Sequence, residues 1–161
     1  MRSLPEVSVA ALAYLGDSVL ENCVRYYLVR DRGLSSSAKL NRAALSFVTA
    51  TAQAEAMGRI LPCLTPEEET YFHRGRNSSP AHIPKSASMA EYRRATGMEV
   101  LFGALALAGR MERVHTLFCL GYGIEADFSA MPTSPQGSAA RPLTEVEDQT
   151  DKEIQDEQSD G

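Results

Sequence analysis

Residues 11–21 read Ala-Leu-Ala-Tyr-Leu-Gly-Asp-Ser-Val-Leu-Glu. The spacing is that of an apolar helix, yet Asp17 stands inside it, directly after a glycine. A carboxylate in such a place is costly to bury unless something positive meets it. Either this face meets solvent, or the aspartate holds a partner such as a metal ion. Glu21 follows at four residues and shares the same helical face, with the small residues Ala10 and Ala13 further back. A solvated acidic stripe is the plain reading of that face. Gly16 argues against it, because a mid-helix glycine costs about 1 kcal/mol relative to alanine and usually admits close packing or a ligand.

A second stretch has the same character. In Tyr92-Arg93-Arg94-Ala95-Thr96-Gly97-Met98-Glu99-Val100-Leu101-Phe102-Gly103-Ala104, a lone glutamate is set among apolar residues with glycines at 97 and 103. Two helices that each carry a glycine near an acid can cross closely and bring Asp17 and Glu99 together. Two converging carboxylates with no basic residue in either apolar stretch suit a hard divalent cation, Mg²⁺ or Mn²⁺. The competing reading is two unrelated surface acids.

The remainder of the chain is read as helices and loops. Ser3-Leu-Pro-Glu6 is a capping-box pattern opening a helix to about Asp31. A second, alanine-rich helix runs from about Ala38 to Leu61 and is closed by Pro62. Thr65-Pro-Glu-Glu68 starts a short helix ending near Arg74. Ser88-Met-Ala-Glu91 caps a fourth helix reaching about Ala108, and Met111–Tyr122 makes a fifth. No period-2 alternation or hairpin signal occurs, so the predicted class is all-α. Tyr26, Tyr27, Phe47, Phe72 and Phe118 read as core, and His115 as a packed or surface histidine.

Residues 75–88 read as a flexible, basic loop. Arg74, Arg76, Asn77, His82 and Lys85 cluster there, followed by Arg93 and Arg94. Arginines on a glycine-containing loop suit bidentate phosphate contacts; the alternative is a solvated loop paired with Glu67, Glu68 and Glu69. The hydroxyls of Ser35–Ser37, with Lys39 and Arg42, are further candidates for phosphate contact.

Composition sets the bounds. The chain has 161 residues and a net charge of −5, but residues 129–161 alone hold eight acids against two basic residues. Residues 1–128 are therefore close to neutral, and the acidity belongs to a segment expected to be a disordered tail. A low isoelectric point does not exclude a nucleic-acid partner for such a body. Three widely spaced cysteines form no CxxC pair, and the three histidines show no HExxH spacing, which argues against zinc and for reduced thiols. No signal-peptide core and no window of about 18 apolar residues appears. The expected location is the cytoplasm, with no membrane partner.

Taken together, the motifs resemble those of the ribonuclease III family. Leu15-Gly-Asp-Ser-Val-Leu20 is similar to its signature, and Gly97-Met-Glu-Val-Leu-Phe-Gly103 to its second acidic motif. With Arg74-Gly-Arg-Asn77, Tyr92-Arg93 and Thr96-Gly97, the resemblance is closest to the compact Mini-ribonuclease III form, a catalytic domain without a double-stranded-RNA-binding domain. It spans about residues 5–122 in order and at matching spacing. It implies an all-α, homodimeric endoribonuclease that uses Mg²⁺, with Mn²⁺ able to substitute, to cut double-stranded RNA into products with 5′-phosphate and 3′-hydroxyl ends. The implied cellular substrate is precursor 23S ribosomal RNA. Where full-length ribonuclease III has further acids, this chain has Ala10, Ala13 and Thr96. The resemblance thus leaves Asp17 and Glu99 as the catalytic and metal-binding pair. It assigns RNA contact to Arg74, Arg76, Asn77, Lys85 and Arg93, with Glu21 at most a helper.

Two rival classes stand beside it. A non-catalytic double-stranded-RNA-binding scaffold of the same fold would bind RNA without cutting it. A carboxylate-bundle metalloprotein would draw on Glu-x-x-His motifs from its helices, and none stands at a suitable place here.

Overall fold

The computed structural model describes residues 6–79 and 85–131. His82 and nearly all of the acidic segment lie outside them. Six α-helices follow one another: α1 (Val9–Arg30), α2 (Ser37–Val48), α3 (Ala50–Ile60), α4 (Pro66–Arg76), α5 (Met89–Leu107) and α6 (Met111–Tyr122). No strand occurs among the described residues. The all-α expectation holds.

The caps explain where the helices begin. Thr65 and Glu68 close a capping box at the start of α4, and Ser88 and Glu91 close another at α5. In each, the hydroxyl accepts from the N3 amide and the glutamate accepts from the cap amide. The first helix begins later than expected. Its N-cap is Ser8, whose hydroxyl accepts from the Ala11 amide at 3.1 Å; Ser3 lies outside the described residues. The single helix expected over 38–61 is two. Thr49 takes an extended conformation (φ −70°, ψ 150°), ends α2 and caps α3 through its hydroxyl. A threonine in an alanine-rich run is a weak signal, because its hydroxyl competes with the helix only if the chain turns there.

The Gly75-Arg76 stretch, expected to begin the loop, also differs from expectation. It is the last turn of α4 rather than a flexible loop, and Asn77 is its C-cap. Gly75 is buried, and a Cβ on it would lie 2.7 Å from the Thr96 carbonyl oxygen and 2.8 Å from the Gly97 Cα. This glycine serves packing between α4 and α5.

Helix α5 is the axis of the molecule. From Ala95 onward it is buried on nearly every face, as a helix wrapped by others must be. Met98, Val100, Leu101, Phe102, Ala104 and Leu105 are fully buried. Helices α1, α3 and α4 surround it. A cluster of Tyr27, Phe47, Phe118 and Tyr122 fills the space between α1, α2 and α6. After α6 the chain turns at Gly123 (φ 62°) and lays Phe128 back on His115, ring centroids 4.2 Å apart. His115 is thereby a packed histidine.

Candidate active site

The crossing of α1 and α5 decides where the acids go. A Cβ on Gly16 would fall inside the carbonyl group of Glu99 and only 2.9 Å from the Gly103 amide nitrogen. A Cβ on Gly103 would likewise collide with the Leu12 carbonyl and stand 3.1 Å from the Gly16 nitrogen. Only two glycines let these backbones touch, and the contact sets Asp17 beside the turn of α5 that carries Glu99.

The electrostatics register that proximity. Burial, and then the charge of Asp17, push the Glu99 carboxyl up to about 7, partly offset by a hydrogen bond from Gln53. Asp17 is itself raised, by burial and then by the charge of Glu21. Both carboxyls are held above their ordinary values, and among the described residues no Lys, Arg or His forms an ion pair with either. Glu21 is turned to its own partner, Arg25 Nη2 at 2.6 Å. A half-buried Glu99 and a solvent-exposed Asp17 that raises it, neither with a cationic partner, are what a divalent cation relieves. The residues present fit such an ion. No third His, Cys, Asp or Glu completes a ligand group among the described residues, so an ion held here would take most of its shell from other oxygens.

Around the pair stand two groups that the residue pattern alone did not single out. Gln53 of α3 is only 3 % exposed and hydrogen-bonds Glu99. Tyr122 of α6 donates to the Phe47 carbonyl at 2.7 Å; burial raises its pKa and the charge of Glu99 adds to the rise. A signal for Gln53 existed. Positions 53, 56, 57 and 60 trace the buried face of α3, and three of them are Ala56, Met57 and Ile60. A glutamine in an apolar stripe needs a polar partner, which here is the acid on α5.

The basic residues are placed unequally. Arg76, Asn77, Lys85 and Arg93 are exposed. Arg74 is half-buried: its guanidinium donates to the Val7 carbonyl at 3.0 Å and lies 5.2 Å from the centre of the Tyr71 ring. It ties the approach to α1 onto α4. The C-terminal end of α4 packs on Thr96 and Gly97, one helical turn before Glu99, so Arg76 and Asn77 project from an element docked next to the acid pair.

The ribonuclease III domain family matches residues 10–110. The chain belongs to the ribonuclease III family. Within it, the chain is 47% identical over 103 residues to the Mini-ribonuclease 3 of Symbiobacterium thermophilum, covering 64% of this chain and 78% of that one. It is 40% identical over 119 residues to the Mini-ribonuclease 3 of Enterococcus faecalis, covering 73% and 89%. Among solved structures, the crystal structure of a protein from Fusobacterium nucleatum superposes with a TM-score of 0.64 at 26% identity, covering 70% of this chain and 89% of that one. A ribonuclease III-family member of the Mini-ribonuclease 3 kind is an endoribonuclease, a hydrolase of the RNA backbone, and the expected kinship is confirmed. No helix among the described residues is long and apolar enough to cross a membrane.

Proposed function

We propose that this endoribonuclease cleaves double-stranded RNA with Mg²⁺, or Mn²⁺ in its place, held by Asp17 and Glu99. The observation that carries the reading is the convergence of these two acids at a glycine-to-glycine helix crossing, with Glu99 pushed up to about 7 by burial and by Asp17. A divalent cation, when bound, supplies Lewis acidity toward water and phosphate. Asp17 and Glu99 contribute ionised oxygens on one side of the site and, being fixed by packed helices, need little reorganisation to do so. Arg76, Asn77, Lys85 and Arg93 contact the phosphates and 2′-hydroxyls of an A-form duplex, recognising shape more than sequence. Arg74 acts by holding the end of α4 in place.

The products carry 5′-phosphate and 3′-hydroxyl ends. A homodimer, with one site per protomer for each strand, matches the two-fold character of a duplex. The substrate that the motif resemblance implies is precursor 23S ribosomal RNA in the cytoplasm. End-labelled duplex RNA incubated with Mg²⁺ tests the proposal, alongside Asp17→Asn and an EDTA control. Cleavage requiring both the ion and Asp17 is expected. Duplex bound but left intact under every condition would assign the chain to the scaffold role instead.

A further inference from the structure

Glutamine 53 occupies a position where an apolar residue would pack without penalty. It is 3 % exposed and sits on the stripe of α3 that otherwise holds Ala56, Met57 and Ile60. A buried primary amide has two N–H donors to satisfy, and leaving one unmade costs about 1–3 kcal/mol. Here one neighbour is the Val48 carbonyl, which accepts from Nε2 at 3.4 Å, one residue before α2 gives way to α3 at Thr49. On its other side, where α3 packs on α5, is the Glu99 carboxyl, which the amide holds down against the upward push of burial. The amide therefore joins the α2–α3 junction to one of the two acids proposed to hold the cation.

The α2–α3 break gives this link its geometry. Because Thr49 leaves the helical conformation, the carbonyl of Val48 is free of the helical ladder and can accept from Gln53. That contact orients the amide. With one hydrogen of Nε2 given to the backbone, the other is left for the Glu99 carboxyl across the α3–α5 contact. A carboxylate that accepts such a bond has one oxygen committed and the other free to turn toward Asp17. Such a bond would set which carboxylate oxygen is left for a cation, and metal-binding acids are commonly steered in this way by the groups that hydrogen-bond them.

We propose that Gln53 is a positioning residue of the nuclease site: its side-chain amide, braced on the Val48 carbonyl, orients the Glu99 carboxylate for divalent-cation binding. The inference rests on the reading of Asp17 and Glu99 as the cation-holding pair, and its test separates the two.

Full-length wild type, Gln53→Leu, Gln53→Met, Glu99→Gln and the double variant Gln53→Leu/Glu99→Gln are compared in three measurements. These are helicity and melting by circular dichroism, Mn²⁺ binding to the RNA-free protein by calorimetry, and single-turnover cleavage of duplex RNA. Expected for both Gln53 variants are wild-type helicity, Mn²⁺ affinity about 10- to 100-fold weaker, and a similar fall in single-turnover rate with KM for RNA unchanged. In the Glu99→Gln background, Gln53→Leu has no further effect on Mn²⁺ binding, because the group it acts through is gone. Wild-type Mn²⁺ affinity in either folded Gln53 variant overturns the proposal, as does an additive loss in the double variant. Loss of helicity in both Gln53 variants also overturns it and assigns the residue to folding. If instead Glu99→Gln binds Mn²⁺ and cleaves like wild type, the acid-pair reading itself fails, whatever Gln53 does.

Discussion

Glu68 and Glu99 are glutamates on neighbouring helices, and both are withdrawn from water; the molecule treats them in opposite ways. Glu68, 1 % exposed, receives Arg113 through Nε at 2.8 Å and Nη2 at 2.9 Å, and the Thr65 amide at 2.9 Å. Burial alone would raise its pKa, but the Arg113 hydrogen bonds, the Thr65 amide and the charges of Arg113 and Arg110 hold it below the ordinary value of 4.5. Glu99 has an amide donor and another acid for company, and it rises to about 7. A buried acid with its countercharge built in is structural. One denied a countercharge, opposite a second acid, is the one that the proposed function gives to a cation from outside.

Breaking the Glu99 side of this contrast gives the largest effect. Glu99→Gln is expected to lower the cleavage rate by about 10³-fold, roughly 4 kcal/mol in the barrier. In EDTA the same substitution stabilises the fold at pH 8, on the order of 2 kcal/mol. The sign follows from protons bound. The folded carboxyl titrates near 7 and the unfolded one near 4.5, so the folded state holds the extra proton between those values. Wild-type stability therefore falls as pH rises from about 4.5 to 7, and the Gln variant escapes that fall. Urea unfolding at pH 5 and pH 8 measures both.

Next in size is the crossing that sets up the pair. Gly16→Ala drives a methyl group into the Glu99 carbonyl. The cost is about 3 kcal/mol or more, since backbone cannot yield as a side chain does. Thermal melting and cleavage should fail together, whereas Glu99→Gln loses cleavage alone.

Breaking the Glu68 side costs stability without touching the chemistry. Arg113→Leu leaves a buried, unpaired carboxylate, worth roughly 2–3 kcal/mol given that Arg113 is itself partly exposed. The cleavage rate of the folded fraction stays that of wild type. Because the folded pKa of Glu68 is depressed, its contribution is present above 4.5 and is lost as pH falls through the folded value. The unfolding curves of variant and wild type should converge in acid. That is the opposite pH direction to Glu99.

The smallest effect sharpens the comparison at the substrate. Arg76→Ala should weaken duplex binding evenly across sequences and reduce the salt slope of log affinity by about one, with kcat unchanged. Binding titrations at several salt concentrations read the slope directly.

How much of this could be read from residue order varies with how local each signal is. The capping boxes at Thr65 and Ser88 were legible, because a cap is a contact across three residues. The glycine beside each acid was legible as a sign of close approach. Arg74 was not legible as a tether. An arginine near a glycine looks the same whether it faces solvent or reaches, as here, to a carbonyl 67 residues earlier in the chain. The Thr49 break depended on what α2 and α3 each pack against, and local propensity across that alanine-rich run favours continuing the helix.

By itself, the sequence determined that the chain is helical, where most helices start, and which two acids are out of place in apolar surroundings. Those are matters of neighbours within one or two turns. Only the tertiary structure decided that the two acids come close enough to act on each other, that Glu68 is neutralised while Glu99 is not, and that Gln53 is buried where α3 packs on α5. Each of these depends on pairing groups from different helices, and burial raises the energy of those pairings far above anything local propensity supplies.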